Sequence, residues 1–417
     1  MKKLATLLLT LMPLYAAAQD LAVTLPIPSG TNKGILSVAA DGAKGKPLLL
    51  QPVFFLKTLI DSSAVSSIDR DWIEQPKKSC AIELRNEFSE CTLKMTTDYP
   101  MIRSGSTASL DVKTSNGFNA STGLWLGYRG YGLGLSKNLT GEGSTFSFGA
   151  MGGRFGLNLR INTYRSDSPE ARISYQGASQ SYDETSKEKL DDPISVRAFF
   201  LDGYYMFNGK HFSYSAAYDQ ALIQKRSAGS LMAGAMYYHS RVSFDDPSNW
   251  VMMAFMRGVG KIKFSQACVG LGYAYNWVPA KGWLVSAQAM PMLQFYNRMK
   301  TYKYDIYYDS PYLIEPINLV SLFDNNMEEL LTFDDETDID DDYNFENDKI
   351  IINERDEEVT NNKIGFNFDA RLAVVYNWKD FYLRVYGHYN RFRYSNDVGN
   401  GRMAEWRVYA SLGFRFW

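Results

Sequence analysis

Past its first twenty residues, this 417-residue chain has no run of ~18 uncharged apolar residues, so it offers no candidate for a membrane-spanning helix. It also lacks a charge excess. Lys+Arg number 44 and Asp+Glu 46, which removes the electrostatic case for nucleic acid as a partner. Histidine and cysteine are scarce, three of each, and neither falls at zinc spacing. No phosphate loop or nucleotide fingerprint is present, so no cofactor and no metal centre is expected.

The first residues, MKKLATLLLTLMPLYAAAQD, have two lysines, an apolar run and then Ala16-Ala17-Ala18. That order predicts a secretory signal over residues 1–18, with cleavage after Ala18. The pattern from Gln19 to Lys78 is irregular and loop-rich, with a possible short helix over Leu48 to Ile60. Residues 19–78 read as a periplasmic extension. In an exported chain Cys80 and Cys91 are candidates for a disulfide.

What the chain has in quantity is alternation. In IGFNFDARLAVVY, Ile364, Phe366, Phe368, Ala370, Leu372, Val374 and Tyr376 alternate with a face holding Asn367, Asp369 and Arg371. In AEWRVYASLGFRFW, Ala404, Trp406, Val408, Ala410, Leu412, Phe414 and Phe416 alternate with Glu405, Arg407, Tyr409, Ser411, Gly413, Arg415 and Trp417. Alternate residues of a strand point to opposite faces. Many of these segments reach ten to fourteen residues. Strands of soluble proteins average about 5–6, and a membrane-crossing strand needs about 9–11. A charge at every second position would spoil a soluble core but suits a barrel with lipid outside and a polar interior. Tyr273, Tyr275, Trp277, Trp283, Tyr376 and Trp378 gather near strand ends, as in an interfacial aromatic girdle.

The fold expected is therefore all-β: a transmembrane antiparallel up-and-down β-barrel over residues 79–417, with a long acidic external loop at 300–363. A two-residue turn at Lys379-Asp380 sets a register that pairs Arg371 with His388 and Asp369 with Asn390, all on polar faces. Fifteen alternating segments can be marked, among them 80–88, 90–97, 107–115 and 210–221, the last following a hairpin signal at Asn208-Gly209. Bacterial barrels of this kind have even counts, so about 14 strands are expected, within 12–16. This tally places Arg165–Pro193, a long loop, on the periplasmic side. A further strand at 171–177 would move it outside.

The segments DRDWIEQPKKSCAIELRNEF, LGYRGYGLGLSKNL, QKRSAGSLMAG, GYAYNWVPAKGWLVS and LGFRFW resemble a family of uncharacterised outer-membrane β-barrels of Gram-negative bacteria, described only as a domain of unknown function. The resemblance runs from Asp69 to Trp417. It implies a barrel and an outer-membrane address, and no activity. The terminal strand is similar to the signal read by the barrel-assembly machinery, with Phe414 and Phe416 in the outward rhythm and Trp417 one step out of phase.

The polar faces of the last strands make Asp369, Arg371, Arg384, His388, Glu405, Arg407 and Arg415 the candidates to line the lumen. They are either the wall of a narrow pore or small-solute site, or a set of mutually neutralising charges in a closed barrel. The first reading is the expectation. The second, a closed barrel whose external loops bind an envelope or protein partner, is its alternative. Outer-membrane lipid and lipopolysaccharide are the expected surroundings, and the oligomeric state is open. Hydrolysis is a lesser possibility, because His239 and its neighbour Ser240 point to opposite faces and His388 has no serine on its face. No enzymatic activity is expected. The acidic run DDETDIDDDYNFENDK holds Asp338, Asp340, Asp342 and Glu346 as weak calcium candidates, without the spacing or the glycine of an EF-hand loop.

Overall fold

The computed structural model describes residues 44, 58, 68–100, 107–115, 119–176, 181–187, 189–311, 313–330, 349–361, 365–395 and 399–417. The signal at 1–18, most of the extension at 19–78 and the calcium candidates Asp338, Asp340, Asp342 and Glu346 lie outside the described residues. Twelve strands form the barrel: β1 (Cys80–Pro100), β2 (Asn119–Tyr128), β3 (Tyr131–Asn138), β4 (Gly143–Met151), β5 (Phe155–Ser166), β6 (Ile194–Met206), β7 (Ala228–Ser243), β8 (Val259–Trp277), β9 (Trp283–Asp309), β10 (Gly365–Trp378), β11 (Phe381–Ser395) and β12 (Gly399–Phe416). Each pairs antiparallel with its neighbour, and β12 pairs with β1 from Gly399↔Thr97 to Phe416↔Cys80. The sheet therefore closes on itself and leaves no edge in the membrane, as lipid requires.

The difference between twelve strands and about fourteen has three sources. Segments 80–88 and 90–97 are one continuous strand, because the polar stretch around Ser89 faces the lumen and β12 in turn rather than turning back. Thr107–Ser115 is a strand, but it pairs only with the upper part of β1 and with Glu170–Gln176, outside the ring. Residues 210–221 are not a strand at all. Removing that strand restores the long 167–193 connection to the extracellular side. Strand Glu170–Gln176 exists, yet it belongs to an external hairpin with Ser181–Lys187. The expected loop at 300–363 is partly ordered sheet: β9 runs for 27 residues and Lys349–Asn361 pairs with its upper half.

The single strand β1 also rules out the disulfide. Neither Cys80 nor Cys91 is in a disulfide, and the Cys91 sulfur accepts from the Tyr164 hydroxyl at 3.3 Å. Eleven residues along one strand, at ~3.3 Å each, separate them by about 36 Å, beyond any disulfide's reach.

The faces fall where alternation predicts. Leu372, Val374, Leu383, Val385, Val408, Leu412, Phe414 and Phe416 are exposed on the outer wall. Exposed aromatics Tyr128, Tyr273, Tyr275, Trp277, Trp283 and Trp378 ring the periplasmic ends of the strands. The register at Lys379-Asp380 is as expected, with Arg371 opposite His388 and Asp369 opposite Asn390. Trp417 is the exception. It lies past the end of β12 at φ 61°, and it is 88 % exposed rather than turned into the rim.

Two quoted motifs take their glycines from close packing inside the wall. Trp125 points inward with its ring against Gly132, where an added Cβ would stand 2.2 Å from the indole. Tyr382 does the same at Gly413, 2.1 Å from an added Cβ. A side chain at either position would have to displace a buried ring.

Candidate functional site

Both mouths of the barrel are spanned by chain. On the periplasmic side, residues 207–227 leave β6, enter the lumen and return to β7. Phe212 to Gln220 are all buried, including the short helix Ser215–Tyr218. On the extracellular side, the β7–β8 connection carries the helix Trp250–Phe255 across to β1. The Tyr99 hydroxyl donates to the Phe255 carbonyl, and Thr97 contacts the Met256 sulfur at 3.7 Å. Arg257 reaches Asp324 at 2.9 Å, and Phe255 stacks on Phe323, both partners lying on the helix Leu319–Leu330.

Between these two caps all seven candidate residues are buried. Six of them form three groups along the lumen. In the first, His388 Nε2 lies 2.5 Å from Asp369, and Arg371 donates to Asp369, to Asp202 at 3.2 Å, to Tyr214 at 2.6 Å and to Tyr204. Gln288 adds a bond to Asp369 at 3.0 Å. In the second, Arg407 joins Glu87 (2.9 Å) and Glu405, and Arg160 reaches the same Glu405 at 3.0 Å. In the third, Glu83 receives Arg384 (2.7 Å), Arg85 (2.6 Å) and the Tyr382 hydroxyl (2.7 Å). Arg415 stands near the periplasmic end. It donates to Asn377 at 2.8 Å and to the Gln220 carbonyl at 3.3 Å, over the Tyr382 ring.

These groups tie the plug to the wall. Tyr214 is held by Arg371, the Tyr218 carbonyl by Arg384 and Gln220 by Arg415. Three strands of the wall thus each give one arginine to the inserted segment. Sequence reasoning found the seven candidates but not their partners Glu83, Glu87, Arg160 and Asp202. Those partners sit at inward positions of β1, β5 and β6, up to 320 residues away in sequence. Their alternation carried the only signal.

The plug holds one acid of its own. Burial pushes the Asp219 carboxyl up to about 7, against the lowering influence of the Ser215 hydroxyl, the Ala221 N–H and Arg384. An unfolded aspartate titrates near ~3.9. The packed plug therefore binds this proton more tightly than the unfolded chain does. Its contribution to stability is complete below about pH 4 and falls as pH rises through 7. Between pH 5 and 8 the barrel is expected to lose on the order of 2 kcal/mol, and Asp219→Asn to flatten that slope. Urea titrations at the two pH values check this.

The sequence neighbours His239 and Ser240 do point to opposite faces. A different contact appears on the outer wall, where His239 Nδ1 is 2.8 Å from Ser265 on the next strand. Among the described residues no carboxylate contacts that imidazole to orient it. Among the described residues His388 is bonded to a carboxylate and to no serine or cysteine. Neither histidine completes a nucleophile–base–orienter set. Among the described residues there is no cluster of three or more His, Cys, Asp and Glu that could hold a metal.

Comparison with known families decides the assignment. A model described as "Domain of unknown function (DUF4421)" matches residues 68–416. The chain belongs to the DUF4421 family. By its own closed antiparallel ring of strands, with apolar residues outside and charges within, this DUF4421 protein has the fold of a membrane-type β-barrel. The outer membrane protease OmpT of Escherichia coli is 9 % identical, with a TM-score of 0.37, covering 82 % of this chain and 97 % of that one. An outer membrane channel of Pseudomonas putida F1 is 10 % identical, with a TM-score of 0.27, covering 84 % and 100 %. The translocator domain of the autotransporter NalP from Neisseria meningitidis is 7 % identical, with a TM-score of 0.28, covering 87 % and 93 %. At these scores the likenesses carry no inference about activity. No curated protein matches the chain in sequence.

Proposed function

We propose that this DUF4421 protein works as a closed outer-membrane barrel whose extracellular sheet and helices form the interaction surface, with no open solute path in the resting state. The observation behind this reading is the inserted segment 207–227, fixed to three wall strands by Arg371, Arg384 and Arg415. A water-filled pore presents charges to solvent, whereas here arginines and carboxylates neutralise one another across the lumen. The extracellular parts of β1 and β9, with their added strands, extend the sheet far beyond the ~9–11 residues needed to cross lipid. They supply a large ordered platform for an envelope or protein partner. Arg371, Arg384 and Arg415 accordingly hold the plug rather than select a solute, and the other four candidates are neutralised in buried pairs of the wall. A narrow pore or solute-binding barrel is the competing reading, and hydrolysis lacks a nucleophile next to His388. Planar-bilayer recording of the folded, heat-modifiable protein is expected to be silent. Stepwise conductance from that sample would return the pore reading to first place.

A further inference from the structure

The outer wall carries a feature the lumen does not explain. On the extracellular parts of β6 to β9, Arg197, Arg241, Lys263 and Lys300 are directly opposite one another from strand to strand. Directly opposed residues share a face. Here it is the outward one, since Phe199, Tyr237 and Val269 continue it toward the periplasm. The next rung down brings His239, Ser265 and Arg298 side by side, and the next rung up brings Lys261 and Tyr302. The wall changes from apolar to cationic over two adjacent rungs of these four strands. On a barrel in lipid, such a boundary suits the level of the outer-leaflet phosphates.

These cations are not all spent on the protein. Lys261 is paired with Asp245 and Lys300 with Glu357, and Lys263 donates to the Tyr302 hydroxyl at 2.7 Å. Arg197, Arg241 and Arg298 are exposed and have no carboxylate partner among the described residues. Another cationic row, Arg402, Lys94 and Lys113, differs in this respect: Lys94 is held by Asp111 at 2.7 Å and Lys113 faces Glu170 at 3.8 Å. Guanidinium groups suit phosphate because they bind it through two parallel donors.

A second, independent feature lies on the same strands. Six residues below the cationic rung, Gly203, Ala235 and Val269 stand side by side. Small side chains lower the wall here, and larger ones, including Leu157, Tyr205 and Phe366, rise around it. The result is an outward concavity of about 900 Å³ with an almost wholly apolar lining. Its floor lies where the β8–β9 ladder is interrupted: Leu271 and Gly272 have no paired residue opposite Pro291 and Met290. Proline has no N–H to continue the ladder. Six residues of strand at ~3.3 Å span roughly 20 Å, about 14 Å of depth at a tilt of ~45°, which falls within the acyl region of one leaflet below its phosphates.

We infer that β6 to β9 form a specific site for one phosphorylated outer-leaflet glycolipid of the lipid A type. Arg197, Arg241 and Arg298 hold its phosphates and the apolar concavity holds an acyl chain. The site faces the membrane and is separate from the lumen, so it stands whether or not the barrel is closed.

Native mass spectrometry of the folded protein, titrated with bis-phosphorylated lipid A and with the same lipid after dephosphorylation, tests the assignment. The phosphorylated form is expected to bind at least tenfold more tightly. The triple variant R197Q/R241Q/R298Q, checked for folding by its heat-modifiable migration, is expected to lose that preference. A235W, which fills the concavity and leaves every cation in place, is expected to weaken both lipids at least tenfold. If the triple variant does not fold, A235W decides the matter alone. Undiminished lipid A binding by a folded triple variant, or by A235W, overturns the site. So does displacement of lipid A by millimolar inorganic phosphate, which would make it a phosphate pocket rather than a lipid site.

Discussion

Arg384→Met is expected to destabilise the barrel by about 3–5 kcal/mol, the usual cost of leaving a buried charge without its partner. Arg384 and Glu83 have fully buried side chains, and they meet at 2.7 Å across the seam between the first strand and the last two. Removing the guanidinium leaves Glu83 with only Arg85 and Tyr382, and it also releases the Tyr218 carbonyl of the plug. The loss belongs mainly to a buried carboxylate left with one cation where it had two. The double variant Arg384→Met/Glu83→Gln is therefore expected to recover part of the stability, because it removes that carboxylate but leaves the half-buried Arg85 without its partner. Urea unfolding in lipid bilayers, followed by tryptophan emission, measures both. Equal losses in the single and double variants would show that the pair matters through packing rather than charge.

Replacing residues 210–226 by a short flexible linker is expected to convert a silent barrel into a conducting one. The segment fills the periplasmic half of the lumen, and its removal exposes Arg371, Arg384 and Arg415 to the space it occupied. These arginines stay close to Asp369, Asp202 and Glu83, so the opened lumen holds both signs of charge. Conductance is then expected with weak selectivity between anions and cations. Bilayer recording checks this against the silent parent. Silence from a correctly folded deletion would mean that the extracellular helices alone seal the barrel.

The wall was legible in the sequence because lipid and lumen impose opposite demands at alternate positions. Phe368 and Asp369 show it within two residues, one exposed and one wholly buried. The turn at Lys379-Asp380 set the register of two strands for the same reason. The plug was not legible. In HFSYSAAYDQ the residues Phe212, Tyr214, Ala216 and Tyr218 keep a spacing of two, so the segment reads as a strand. In place it is buried on every side, and alternation then carries no information about facing. The stretch at Ser89 misled in the opposite direction. Its run of polar residues looks like a turn, yet Glu87 is an inward group that Arg407 neutralises. Pairs such as Glu83 with Arg384 or Glu87 with Arg407 join positions hundreds of residues apart, and nothing local marks them.

The plug sits midway along the chain, between β6 and β7, while the wall closes only when β12 meets β1. Once that seam is zipped, a loop tethered at both ends cannot leave or enter through the wall. The segment hangs from the periplasmic ends of β6 and β7, so it reaches the lumen through the periplasmic mouth. Glu83 on β1, Arg384 on β11 and Arg415 on β12 come together only when the seam closes, around the Tyr218 and Gln220 carbonyls. The same contacts that hold the stopper in its bottle thus also act as the latch on the final stave.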